Sequence, residues 1–137
     1  MPLYTSDSFK QGSNLYLLIT IVCQVFSMIY ESFSHHVYSP YMVFAPAIPM
    51  IGGVLMAELM NLLPKEMQPG QVSVNLYNAS IGTWIVGSLV QGAIEIYGTE
   101  HPHAVWYRNA GSILFGVAAA VWLVKITACK SKYRRKK

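Results

Sequence analysis

All four histidines of the chain, His35, His36, His101 and His103, fall in two short segments, in company with Glu31, Glu95 and Glu100. Nothing else in the sequence concentrates titratable chemistry this way. Neutral imidazole and carboxylate are good ligands for zinc, copper or iron, so His35, His36, Glu100, His101 and His103 are candidate ligands for a divalent metal. Glu31 and His35, four residues apart, share a face wherever the helix carrying Glu31 continues that far. Haem fits less well, because its axial histidines are expected deep in facing helices and these sit at a rim. A third reading gives the imidazoles interface hydrogen bonding or a proton-responsive role. The sequence has no H-E-x-x-H, no paired C-x-x-C, no phosphate-cradling loop and no nucleotide fingerprint, so no catalytic residue is assigned.

A second set of polar residues is periodic. Thr20, Gln24, Ser27, Glu31 and His35 follow one stripe of a helix, and Ser88, Gln91 and Glu95 repeat the idea later in the chain. Polar stripes are costly in lipid, so both are expected to face a bundle interior or a hydrated crevice. Gln24, Glu31, Gln91 and Glu95 are the candidate residues for a cation or small polar ligand below the histidines.

The elements that must position these groups are transmembrane helices. Of 137 residues, 53% are hydrophobic and 12% charged, against roughly 25% charged in an ordinary soluble domain. Mean hydropathy is +0.36. Four long apolar segments predict spans over about 14–33, 41–63, 72–97 and 110–129, preceded by a leader, 1–13, and followed by a polybasic tail, 130–137. The fold class expected is all-α, a polytopic bundle of four transmembrane helices. Pro46 and Pro49 fall in the second span, where each ring removes a backbone donor, so a bend is expected there, with neighbours supplying the freed carbonyls. Disorder and a disulfide scaffold are excluded, since order-forming residues dominate and only Cys23 and Cys129 are available.

Net charge is +4, but six of the ten Lys and Arg lie in the tail from Lys130. That is a topology signal and a contact for anionic headgroups, and with no basic residues interleaved with aromatics along a face it excludes nucleic acid. Lys10, Lys65, Lys125 and the tail fall on one side of an even-numbered topology, leaving Arg108 on the other. Excess Lys and Arg marks the cytoplasmic side, which predicts a multi-pass plasma-membrane protein with both termini cytoplasmic and the histidines outside.

Small residues recur at spacing four in Ala45, Gly53 and Ala57, with Pro49 between, and in Ser112, Gly116 and Ala120; Thr83, Gly87 and Gln91 form a third such row. Such seams let helices approach closely, within the bundle or in an oligomer. One shift along the chain carries Gln24 onto Gln91, Ile29-Tyr30 onto Ile96-Tyr97, His36 onto His103 and Val54 onto Val121. That register suggests two tandem helical hairpins, a parallel repeat. It also carries Glu58 onto Lys125, each about one turn inside the same end of its helix, so an interhelical Glu58–Lys125 ion pair is expected to offset the burial of either charge; the alternative is that Lys125 snorkels and Glu58 reaches water separately.

The segment from Tyr30 to Ser39, followed by Ala47-Ile48-Pro49-Met50-Ile51-Gly52-Gly53 and later Glu95-Ile96-Tyr97-Gly98-Thr99, resembles small four-span integral membrane proteins of bacteria, over about residues 14–128. The resemblance implies no activity; it suggests that the two histidine segments act together. Two functions are expected from the sequence: binding or passage of a cation, metal or small polar ligand, and a non-catalytic accessory role in a larger membrane complex or homo-oligomer.

Overall fold

The computed structural model describes residues 6–33, 38–98 and 104–134. These residues are helical apart from short turns. Helix α1 covers Ser6–Phe33, α2 Pro40–Phe44, α3 Met56–Leu62, α4 Gln71–Ile96 and α5 Ala104–Arg134, and a π-helical segment, Ile48–Leu55, lies between α2 and α3. Four stretches, Lys10–Phe33, Pro40–Leu62, Gln71–Ile96 and Val105–Ser131, are long and apolar enough to cross a membrane. The protein is therefore an all-α, four-span membrane bundle.

Two helices outrun the expected spans. α1 continues back through the leader to Ser6, and α5 runs into the polybasic tail. At about 1.5 Å per residue the 31 residues of α5 extend about 46 Å, against a hydrocarbon core of about 30 Å. The added segments contain no proline, and apolarity marks what lipid covers, not where a helix stops.

Packing follows chain order. α1 lies on the second span, the second span reaches α4 through α2 and the π-helical segment, and α4 packs along α5. Glycines permit the closest approaches. A Cβ on Gly53 would fall 2.1 Å from the Tyr16 ring, and one on Gly92 would fall 3.0 Å from the Met42 backbone nitrogen. Of the expected seams, Ala45, Pro49 and Gly53 are buried. The seam of α5 is corrected: Ser112, Gly116 and Ala120 are exposed, and its buried small residues are Gly111 and Ala118. Spacing alone does not say which side of a helix the neighbour occupies, and here α4 takes the face next to the expected one.

The second span shows how a broken helix survives among apolar neighbours. Pro46 has no N–H for the Met42 carbonyl, so α2 ends at Phe44. The Ala45 N–H turns back to Met42 O at 3.3 Å, which leaves Tyr41 O without its usual partner. Both carbonyls are served from other helices: Ser27 Oγ of α1 donates to Met42 O at 2.9 Å, and Ser88 Oγ of α4 to Tyr41 O at 2.8 Å. Further along, Tyr77 Oη donates to Gly52 O at 2.5 Å inside the π-helical segment. Irregular backbone at membrane depth is tolerated only where protein or a lined cavity satisfies it, and these three hydroxyls meet that condition.

Candidate functional site

The site is built at the end of the bundle opposite the chain termini. α1 and α4 both finish there, and the edge-on meeting of Tyr30 and Tyr97, ring centroids 6.4 Å apart, sets their last turns side by side. Glu31 and Glu95 lie in those last turns, and neither turn carries Lys or Arg. A helix C-terminus carries about −0.5 of an elementary charge from its unpaired carbonyls. Two such ends and two carboxylates give this end of the bundle negative character among the described residues.

Glu95 is held in place from both sides. Ser39 Oγ, buried at the entrance to α2, donates to Glu95 Oε2 at 2.5 Å, and Gln91 Nε2 donates to Glu95 Oε1 at 3.1 Å. Ser88, Gln91 and Glu95 thus form one face of α4 turned toward the start of the second span, as their spacing predicts. The Gln91 Oε1 atom is buried and meets no donor among the described residues. Gln91 also lines a crevice of about 480 Å³ between the second span, α4 and α5, together with Tyr41, Trp84, Ser88, Arg108 and Ser112. A smaller cavity of about 130 Å³ in the other half of the bundle, walled by Tyr16, Tyr77, Phe115 and Trp122, presents no carboxylate or imidazole among the described residues.

Other expected site residues fare differently. Glu31 is half-buried at the end of α1, but Gln24 is exposed and does not line the crevice. α1 packs through Tyr16, Cys23 and Ser27, and Gln24 is turned about 100° from Cys23, so the polar stripe and the packed face only partly coincide. Glu58 and Lys125 form no ion pair. Lys125 Nζ instead donates to Gln68 O at 2.8 Å, and Trp122 Nε1 to Met67 O at 2.9 Å, so the two clamp the loop between α3 and α4 onto α5. Glu58 sits on an exposed face of α3, whose buried residue is Met60. A loop carbonyl with no helical partner is an easier target for a long, flexible ammonium than a carboxylate facing away.

His35, His36, Glu100, His101 and His103 lie outside the described residues, as do the contacts a metal site there would need; among the described residues no three His, Cys, Asp or Glu side chains gather as metal ligands. Sequence reasoning missed Ser39, which carries the shortest contact to Glu95. The signal for it is local: a serine stands at the N-cap position immediately before Pro40, where its hydroxyl makes no capping bond and is left for Glu95.

Fold and site together define a class, the polytopic four-span membrane protein with an acidic end between paired helix C-termini. Comparison with protein-family models, with curated proteins and with solved structures finds no match to the chain.

Proposed function

We propose that the protein binds a cation or small polar ligand at the end of the bundle opposite its termini, with Glu95 the principal anionic group, Gln91 and Ser39 its positioning residues, and Glu31 the second carboxylate. The observation that carries this reading is the fixed carboxylate of Glu95, oriented by two donors in the last turn of α4. The discontinuous second span beside it supports the same reading, because broken helices line the ligand sites of membrane carriers. His35, His36, Glu100, His101 and His103 follow directly on these helix ends in sequence and would complete a divalent-metal site. Passage of the ligand across the bilayer is the transport form of the proposal.

In this reading the protein is a multi-pass plasma-membrane protein with cytoplasmic termini. Lys10, Lys65 and Lys125 lie with the termini, whereas Arg108 stands at the site end, as the excess of basic residues on the cytoplasmic side requires.

The test is a titration of Zn²⁺ and Mn²⁺ into the purified full chain in detergent, followed by calorimetry. Glu95→Gln is expected to weaken binding about tenfold or more, as loss of one charged ligand or its support does. His36→Ala with His103→Ala reports on the loops separately. Unchanged binding in Glu95→Gln removes Glu95 from the site, and no binding by the wild type removes the cation reading.

A second reading, an accessory subunit, is favoured by α5. Only 6% of its apolar window is buried, against 28% for the second span and for α4, and its exposed face carries Ser112, Gly116 and Ala120. Stability of the chain only in the presence of a co-purifying membrane protein would support it.

A further inference from the structure

Gln24 stands near the middle of the first span, Lys10–Phe33, and faces away from the bundle. Its amide makes no hydrogen bond among the described residues. An amide in hydrocarbon without a partner is costly, and a carboxamide carries both a donor and an acceptor, so it is complementary to a copy of itself.

The residues around it have a periodicity that the bundle does not use. Leu17, Ile21, Gln24 and Met28 step by four, three and four, the alternation of a left-handed coiled-coil seam. Leu17, Ile21 and Met28 are 51%, 51% and 59% exposed, so the whole seam is unpacked. It is distinct from the face of Tyr16, Cys23 and Ser27 that α1 turns toward its own neighbours.

Topology chooses the partner. Two copies of one membrane protein share the same orientation, so two α1 helices that meet must run parallel, and about a two-fold axis along the membrane normal equal residues face equal residues. A seam residue of α1 therefore meets itself, and Gln24 meets Gln24. A single polar residue in an otherwise apolar seam fixes register and favours the two-stranded state.

We infer that the protein is a parallel homodimer through α1, with Leu17, Ile21 and Met28 packed across the axis and a Gln24–Gln24 amide pair at its centre. This interface lies apart from the acidic end and does not depend on the proposed ligand.

The experiment is a dilution series of donor- and acceptor-labelled full chain in liposomes, read by energy transfer. Wild type is expected to dimerise; Gln24→Leu is expected to weaken association about tenfold, which is the scale of an interhelical amide pair in a membrane, and Gln24→Asn to retain most of it. Gln24→Leu makes that face more compatible with lipid, so its loss of association does not report unfolding. In a Cys129→Ser background, Ile21→Cys and Met28→Cys are expected to cross-link between copies, and Val22→Cys, about 100° around the helix from Ile21, to cross-link poorly. A monomeric wild type, undiminished association in Gln24→Leu, or equal cross-linking at Ile21 and Val22 overturns the proposal.

Discussion

The two hairpins of the bundle solve the same problem in opposite ways. In the second, α4 and α5 are continuous helices that satisfy their own backbone, and their contact is made by side chains: Ser73 Oγ on Ala118 O, Trp84 stacked on Phe115, and Gly111 admitting the Trp84 ring. In the first, α1 is continuous but its partner is broken at Pro46 and wound as a π-helix beyond, and hydroxyls from two other helices complete the backbone. Hydrogen bonds cross both hairpins, but those to α5 add to the carbonyls of a regular helix, whereas the bond to Tyr41 O replaces a partner that the broken span has lost. The hairpin that depends on its neighbours is also the one whose entrance, at Ser39, holds Glu95.

The contrast can be broken by substitution. The largest effect is expected from Gly53→Ala: its Cβ would overlap the ring of Tyr16, whose hydroxyl also donates to Asn78 Oδ1 at 2.7 Å, and overpacking of this kind costs about 1–3 kcal/mol in the folding equilibrium measured by unfolding in mixed micelles. Ser27→Ala comes next. It strips Met42 O of its interhelical donor and is expected to destabilise by about 1 kcal/mol, whereas Ser112→Ala in α5, where the hydroxyl bonds only to Arg108 O of its own helix, is expected to cost less than about 0.5 kcal/mol. Equal losses would show that the broken span needs no outside donor.

A double-mutant cycle sharpens the point. Pro46→Ala restores an N–H in reach of Met42 O, so the cost of Ser27→Ala is expected to fall by about 0.5 kcal/mol or more in that background. At the other end of the bundle, Lys125→Met is expected to loosen the loop at Gln68 and cost about 1 kcal/mol, with Glu58→Gln neutral within about 0.5 kcal/mol. Matching losses for the two would restore the ion pair. The smallest loss belongs to Gly116→Ala, where a Cβ meets nothing and the higher helix propensity of alanine should leave thermal melting unmoved or raised.

The four spans were legible because lipid demands about 20 apolar residues per crossing, and the bend was legible because proline lacks a donor. Ser88, Gln91 and Glu95 were legible as a face from their spacing. Gln24 was assigned to the interior for the same reason, wrongly: a stripe gives the side of a helix but not what lies on that side. The Glu58–Lys125 pair failed similarly, since equal depth on two helices leaves their rotation about the helix axes open.

Sequence by itself determined how many times the chain crosses, where its backbone must break and which polar groups share a helix face, because each of these depends on one segment and its solvent. Tertiary structure decided which carbonyl each hydroxyl serves, which face of α1 and α5 is left bare, and that Ser39 and Gln91 converge on Glu95. Those outcomes depend on the rotation and approach of separate helices, and packing between small residues and hydrogen bonds to a broken span sets both.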